Sequence, residues 1–205
     1  MSGPLFSLFI VHGYREAYYQ LSEAERAQFW GRIGTASQAV GSKNLLTCNS
    51  VWCNEAAFAW GLEEFPDLNS VQELARLHLE NQHLRYLETE SFLGVKQGDG
   101  AIPVVGFPDP IYQLWMVKND SSESMDSLPD ALRATLWSQV GESIERNGGV
   151  GLILCDITWS NEEYRYFGIT AWPSLEAEQA HFKDLEKIGW SRYLRSRTIL
   201  GTALA

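Results

Sequence analysis

The chain contains four histidines, the side chains best suited to proton transfer near neutral pH. His12 stands at the end of the first predicted strand, where a general base could reach a bound ligand. On the second predicted helix of each half, His78 is interpreted as a core residue with satisfied hydrogen bonds. His181 is interpreted as a solvent-facing residue at the rim and is also a candidate substrate-binding residue. His83 is expected to be exposed. No two histidines have the spacing of a zinc site, so no metal site is predicted.

Two polar residues, Asn49 and Asp156, interrupt otherwise apolar predicted strands at equivalent positions. A carboxylate in such a strand must be hydrogen-bonded or have a raised pKa. Asp156 is therefore a candidate general base, and Asn49 a candidate hydrogen-bond donor to a substrate oxyanion. The alternative is a structural role, either on a solvated edge strand or in a hydrogen bond to a neighbouring loop.

Aromatic residues at alternating strand positions are candidates for a ligand-binding surface. The mainly apolar face of the third strand in each half is assigned to the helices: Phe58, Trp60 and Leu62, with Arg165, Phe167 and Ile169. The opposite face carries Ala57, Ala59 and Gly61, with Tyr164, Tyr166 and Gly168. On this assignment Tyr164 and Tyr166 are candidate catalytic residues, and Phe9 and Trp115 belong to an aromatic lining that binds substrate. Alternatively, the tyrosines fill the space left by the alanines.

The last predicted strands differ in charge. Glu88 and Glu90 in the first half stand where the second half has Arg195 and Arg197. Arg195 is a candidate ligand for a substrate carboxylate. The two sets could instead pair with each other, or lie on a solvated surface strand.

These candidates sit in an internal repeat. Residues 22–94 align with residues 129–201 without a gap, and more than a quarter of the aligned residues are identical, against about one in sixteen by chance. The identities include rare residue types: Trp30 with Trp137, Cys48 with Cys155, Trp52 with Trp159, and Gly61 with Gly168. The sequence is therefore a tandem duplication.

Each copy shows the order βαββαβ. Ser22 followed by Glu25 predicts a capping-box start for the first helix, and Asp67 and Ser174 are predicted N-caps of the second helices. The predicted division is repeat 1 over 1–94, a Gly- and Pro-rich linker over 95–110, and repeat 2 over 111–205. A βαββαβ sheet has helices on one face only, so the bare faces of the two repeats are expected to cover each other.

Composition limits the function classes. The formal net charge of −10 disfavours nucleic-acid and membrane partners, since both are anionic. No apolar run reaches the roughly 20 residues that span a bilayer, and no signal peptide is recognisable, so a cytoplasmic location is expected. The cysteines Cys48 and Cys53 are predicted to be buried free thiols. No phosphate-binding loop or dinucleotide fingerprint is present, so no nucleotide cofactor is predicted.

The duplicated βαββαβ pattern resembles the dimeric α/β-barrel (ferredoxin-like) superfamily in a fused two-repeat form. The segment 172–194, WPSLEAEQAHFKDLEKIGWSRYL, is also similar to the second-helix region of antibiotic-biosynthesis-type monooxygenases, in which the helix bears a histidine at the position of His181. The resemblance implies an α+β fold of tandem repeats packed sheet to sheet. It also implies a function drawn from cofactor-free oxygenases, haem-degrading enzymes, isomerases, cyclases and dehydratases.

Three functions remain open. The first is an enzyme that acts without a cofactor on a small, aromatic or polyketide-like molecule in a pocket between the sheets, by oxygenation, cyclisation, isomerisation or elimination. The second is a haem-binding or haem-degrading protein that uses His181 or His78. The third is a non-catalytic ligand-binding protein. Since the fusion supplies the pairing that single-repeat relatives obtain by dimerising, either a monomer or a homodimer is expected.

Overall fold

The computed structural model describes residues 3–118 and 127–204. The chain forms two compact units, and the boundary between them lies between Val95 and Lys96. The units correspond closely to the two copies of the sequence repeat, and each is described here by itself.

Unit 1 contains four strands and four helices among its described residues. The strands are β1 (Leu5–Tyr14), β2 (Lys43–Asn49), β3 (Ala59–Phe65) and β4 (Leu87–Lys96, whose last residue belongs to unit 2). The helices are α1 (Glu16–Tyr19), α2 (Glu23–Ala39), α3 (Leu68–Glu80) and α4 (His83–Tyr86).

Unit 2 repeats this order in the part of it that the structure describes. Its strands are β5 (Ile111–Lys118), β6 (Val150–Asp156), β7 (Tyr164–Trp172) and β8 (Ser196–Ala203). Its helices are α5 (Asp130–Arg146), α6 (Leu175–Lys187) and α7 (Trp190–Tyr193).

Each unit has its own four-stranded antiparallel sheet. The strand order is β4-β1-β3-β2 in unit 1 and β8-β5-β7-β6 in unit 2, so the two sheets have the same topology. This is the ferredoxin-like βαββαβ arrangement, and the predicted α+β class is confirmed. The expected covering of the bare faces stays a prediction.

Local sequence explains where the long helices begin. Ser22 and Glu25 form the predicted capping box, in which each side chain accepts a hydrogen bond from the other residue's backbone N–H. Asp67 accepts from the backbone N–H of Ser70, and Ser174 from that of Ala177. The predicted N-caps therefore satisfy backbone donors that have no partner inside the helix.

The structure corrects the ends of several elements. The sequence predicts second strands over 44–52 and 151–159, but these strands end at Asn49 and Asp156. It predicts last strands over 85–93 and 192–200, but these begin later because the one-turn helices α4 and α7 precede them. Each of these helices follows a residue in the left-handed region, Gln82 (φ 57°) or Gly189 (φ 70°), which turns the chain sharply after the long helix.

The predicted assignment of the sheet faces is wrong at most positions of β3 and β7, although Phe58 and Arg165 do line cavities with helix residues, as predicted. Gly61 and Gly168 lie on the helix side, because a Cβ at Gly61 would collide with the Phe9 ring and a Cβ at Gly168 with the Trp115 ring. Both rings line cavities beneath the helices. The glycine face, with Ala59 and Tyr166, therefore faces the helices, and the face with Trp60, Leu62, Phe167 and Ile169 is buried on the opposite side.

No helix in the described ranges is long and apolar enough to cross a membrane.

Candidate functional site

Unit 2 contains an open cavity of about 680 Å³ between its sheet and the helices α5, α6 and α7. This space is called the unit 2 cavity below. Its size lies in the range of small-molecule sites, about 300–1,000 Å³. The lining residues are Gln113, Trp115, Val117, Lys118, Trp137, Val140, Ile144, Thr170, Glu178, His181, Phe182, Leu185, Glu186, Trp190, Ser191, Leu194, Arg195, Ser196, Thr198 and Leu200.

Three tryptophans give the cavity its aromatic character. Trp137 of α5 and Trp190 of α7 meet edge to face, with ring centroids 5.0 Å apart. The Trp115 ring of β5 lies against Gly168 of the neighbouring strand, which leaves room for it, and its Nε1 donates to Thr170 Oγ1 at 3.2 Å. Fixed rings of this kind can hold a flat apolar ligand by contact with its faces.

His181 of α6 is the buried histidine of this cavity, with 4% of its surface exposed. Its ring lies against the Trp172 ring at a centroid distance of 4.9 Å. Burial lowers the pKa of His181 to about 4; the negative charge of Asp184 opposes this shift, and the positive charge of Arg146 adds to it. The imidazole is therefore neutral at pH 7. The expectation of a solvent-facing histidine is wrong, because α6 turns this residue towards α5 and the sheet.

The contacts of Ser143 define the tautomer of His181. The Ser143 hydroxyl lies 2.9 Å from His181 Nδ1 and donates to Asp184 Oδ2 at 3.2 Å. A hydroxyl has one proton, so when Asp184 accepts it, Nδ1 must carry the proton of the other bond. Nε2 then bears a lone pair, and the described residues offer it no hydrogen bond.

Asp184 is held as a carboxylate. Hydrogen bonds from Lys187, Arg146 and Asn147 lower its pKa, and Arg146 reaches its Oδ2 at 2.7 Å. An ionised Asp184 can only accept hydrogen bonds, which keeps the Ser143 proton directed towards it.

A second buried network lies next to His181. Gln113 Nε2 donates to Glu178 Oε1 at 3.0 Å, and Trp172 Nε1 donates to Gln113 Oε1 at 3.0 Å. Burial raises the pKa of Glu178. This network fixes the Trp172 ring that supports His181.

Cationic residues line the cavity at the Lys118 end of β5. Lys118 donates to Glu163 Oε1 at 2.6 Å and lies over the Tyr164 ring, 5.4 Å from its centroid. Arg195 lines the same end, since the backbone N–H of Lys118 donates to the Arg195 carbonyl. The cavity therefore has a neutral histidine end and a cationic end.

The structure brings together only some of the predicted site residues of the second repeat. Trp115, His181 and Arg195 line the unit 2 cavity. Tyr166 packs among the apolar residues around Leu136 and Trp190, and Tyr164 lies beside Lys118. Tyr166 is thus on the helix side of the sheet, whereas Tyr164 lies beyond a register shift in β7 and is paired with Lys118 of β5. Their catalytic roles stay predictions.

The sequence predicts Asp156 in the middle of a strand, but the structure does not place it there. It is the last residue of β6, and its Oδ1 accepts hydrogen bonds from the backbone N–H and the hydroxyl of Thr158. Asn49 caps the equivalent turn by accepting from the Val51 N–H at 3.0 Å. These contacts agree with the structural alternative for both residues.

The remaining predicted site residues belong to unit 1. His12 Nδ1 lies 2.7 Å from the Ala56 carbonyl, and its Nε2 lies 3.2 Å from Glu90 Oε2. Phe9 lines a separate cavity under the helices of unit 1. The structure therefore divides the predicted residues between two units.

Sequence reasoning did not find Ser143, Gln113 or Glu178. Ser143 and Glu178 look like ordinary polar residues of amphipathic helices, although both are buried. Gln113 could have been identified from the sequence, because an amide side chain in the middle of an apolar strand needs buried hydrogen-bond partners.

Cys48 and Cys155 are buried free thiols, and burial raises the pKa of each to about 12. Cys53 is also free but exposed, so its predicted burial is wrong. The reason is its place in the loop after β2, which ends earlier than predicted.

No protein-family model matches the chain, and no curated protein matches it significantly. Solved structures do match. A variant of chlorite dismutase from Candidatus Nitrospira defluvii is similar with a TM-score of 0.79 at 13% identity, over 98% of this chain and 92% of that one. The same enzyme in complex with imidazole has the same score and identity, over 98% and 91%. A variant of it in complex with cyanide has a TM-score of 0.77 at 14% identity, over 98% and 91%.

A further protein, provisionally described as a chlorite dismutase, is similar with a TM-score of 0.73 at 8% identity, over 100% of this chain and 96% of that one. At these identities the likeness shows the fold alone. The chain thus has the ferredoxin-like fold of chlorite dismutase. The similar structures described here do not bear the name of a monooxygenase.

Proposed function

We propose that unit 2 binds haem in its cavity and that His181 would be the residue that holds the iron. The observation that carries the proposal is the neutral, buried imidazole of His181, whose Nδ1–H is fixed by Ser143 and whose Nε2 is left free. Histidines that ligate a metal commonly donate the other ring N–H to a fixed acceptor. A proximal histidine of this kind is a standard haem ligand.

The dimensions of the cavity suit a flat macrocycle. Gln113 and Lys118 both line it and are five residues apart on β5, a distance of ~17 Å at the usual rise of a strand. Trp115, Trp137 and Leu185 supply apolar surface for the ring faces. Haem carries two carboxylates, for which Arg195 would provide positive charge at the end of the cavity where Lys118 is paired with Glu163.

The donor set also favours iron held in a macrocycle over a bare ion. Within residues 3–118 and 127–204, no group of three or more His, Cys, Asp and Glu side chains could hold a metal ion. Haem needs only one protein ligand because the porphyrin supplies the other nitrogens.

Each residue would have a separate task around the bound group. Haem would supply redox chemistry at the iron. Ser143 and Asp184 would keep the His181 lone pair available, and the Gln113–Glu178 pair would hold Trp172 behind the imidazole. The tryptophans would exclude water from the cavity.

The comparisons support this proposal over cofactor-free chemistry. The similar structures are named for action on chlorite, and two of them are complexes with imidazole and with cyanide. Nitrogen donors such as imidazole are ligands that iron accepts. Loss of chlorite is accordingly the first activity to measure on haem-loaded protein.

The test of binding is a haemin titration followed by absorbance. We expect a Soret band that saturates at one equivalent per chain and that is lost or strongly shifted in His181→Ala. His78→Ala is the matched control, because His78 lies on the equivalent helix of unit 1, and it should leave the band unchanged. No spectral change at micromolar haemin, or an identical band in His181→Ala, would contradict the proposal.

A second candidate is the cofactor-independent enzyme acting on an aromatic molecule. The three tryptophans of the unit 2 cavity favour it, because they could hold an aromatic substrate as well as a porphyrin. The same titration separates the two. Quenching of tryptophan fluorescence by aromatic compounds, without any haemin binding, would favour the second candidate.

A further inference from the structure

Unit 1 has a cavity of about 450 Å³ between its own sheet and its own helices. It is called the unit 1 cavity below. Its lining is Ser7, Phe9, Val11, Trp30, Ile33, Ser37, Glu63, Phe65, Val71, Leu74, Ala75, His78, Leu79, His83, Leu84, Leu87, Thr89 and Ser91. Most of these positions are the repeat equivalents of residues that line the unit 2 cavity.

The apolar surface is shared, but the ionisable groups of the two cavities differ. Trp30 stands for Trp137, and Phe9 for Trp115, so both cavities have an aromatic wall. His181 is replaced by Leu74, and this removes the proposed iron ligand from unit 1. The ligand of the unit 1 cavity must therefore differ from that of the unit 2 cavity.

Glu63 is the distinctive group of the unit 1 cavity. It stands where unit 2 has Thr170, and β3 points its side chain to the helix side. Desolvation raises its pKa, and a hydrogen bond from Ser37 opposes that rise. The described lining contains no Lys or Arg, and nearby Lys43 pairs with Glu64 instead. Glu63 is partly buried, and a partly buried carboxylate without a cation is destabilised, so a ligand that brings a cation removes this cost.

Two histidines complete the polar set. The rings of His78 and His83 are stacked, with centroids 4.5 Å apart and planes 4° from parallel. His78 Nε2 is buried without a hydrogen-bond partner among the described residues. Burial lowers the pKa of both residues, that of His83 to about 4, so neither supplies positive charge to Glu63 at neutral pH.

We propose that the unit 1 cavity binds an organic amine with an apolar body. Its ammonium group pairs with the Glu63 carboxylate, and its apolar part packs against Phe9, Trp30 and Leu74. The aromatic rings favour a cation in addition to the ion pair. A ligand with a carboxylate is excluded, because its charge would repel that of Glu63.

The test compares three probes of one shape on the full chain by calorimetry: 4-phenylbutylamine, 4-phenylbutanol and 4-phenylbutyrate. The amine should bind about tenfold more tightly than the alcohol, and the acid least tightly. Equal binding of the three probes, preference for the acid, or no binding of the amine at millimolar concentration would overturn the proposal.

Two variants locate the site. Glu63→Gln should remove the preference for the amine while the alcohol still binds, which also shows that the variant is folded. Glu64→Gln is the matched control, since its side chain lies on the other face of β3, and it should keep the preference. Persistence of the amine preference in Glu63→Gln would contradict the assignment. His181→Ala should leave amine binding unchanged, so this proposal and the haem proposal fail independently.

Discussion

The imidazole of His181 and the hydroxyl of Ser143 are joined at 2.9 Å across two helices, α6 and α5, that cover the same sheet. Ser143 also donates to Asp184, so a chain of two hydrogen bonds runs from a carboxylate to a histidine in the cavity wall. These two hydrogen bonds are a structural reason to propose that His181 binds the iron and is not only a packing residue of the core.

The Ser143→Ala substitution should weaken haemin binding by about 10- to 100-fold, the usual effect of removing the partner of a metal-ligating histidine. It should also lower the free energy of unfolding by about 1–3 kcal/mol, because His181 Nδ1 loses its buried partner. The measurements are a haemin titration and urea denaturation.

Ser138→Ala is the control on the same helix, where the serine hydroxyl donates to Glu142 at the surface. It should change neither quantity appreciably. Equal haemin affinity in Ser143→Ala and Ser138→Ala would show that Ser143 does not position His181.

The Glu178→Gln substitution should change how stability depends on pH. The pKa of Glu178 is raised in the folded protein above the ordinary value of 4.5, so the folded state holds its proton more tightly than the unfolded state. This contribution to stability is fully present below about pH 4.5 and is lost as the pH rises through the folded-state pKa. The variant should therefore gain stability relative to the wild type over that interval, as measured by denaturation at a series of pH values.

Glu186→Gln removes a carboxylate from an exposed position of the same helix and serves as its control. A stability difference between Glu178→Gln and the wild type that stays constant from pH 4 to neutrality would argue against the burial of an ionisable Glu178.

Gly168→Ala should destabilise the protein by about 1–3 kcal/mol, because the new methyl group would overlap the Trp115 ring in a packed wall. Gly141→Ala, within α5 and with no atom near the added Cβ, should stabilise it by about 0.5–1 kcal/mol. Thermal unfolding of both variants measures the contrast. Two shifts of the same sign would contradict the placement of Trp115 over Gly168.

Asp156→Asn distinguishes the two interpretations of Asp156. The amide oxygen of Asn can still accept from Thr158, as Asn49 does from Val51 in unit 1. The variant should therefore keep its stability within about 0.5 kcal/mol and its activity. An activity loss of more than tenfold with unchanged stability would restore Asp156 as a general base.

The order of elements was predictable because it depends on local chemistry. Helix capping depends on residues that are close in sequence, as at Ser22, Asp67 and Ser174, and the two copies of the repeat support the same order of elements. The ends of β2 and β6 were missed because Asn49 and Asp156 resemble strand residues until their hydrogen bonds to the following turn are seen.

The choice of sheet face was not predictable from alternation, which separates two faces without saying which one the helices cover. The pairs Gly61–Phe9 and Gly168–Trp115 lie on neighbouring strands, and only the register shows that each ring lies on its glycine. The environment of His181 was missed for a related reason, since Ser143 is far from it in sequence.

The repeat equivalence of the two cavities has a consequence for the history of the chain. An ancestor with one βαββαβ unit would already have possessed a binding chamber under its helices, and duplication would have doubled it. Each copy could then change the polar residues of its own cavity without affecting the other, because each cavity is lined by residues of one unit. His181 in one cavity and Glu63 in the other are the kind of difference that such independent change would produce.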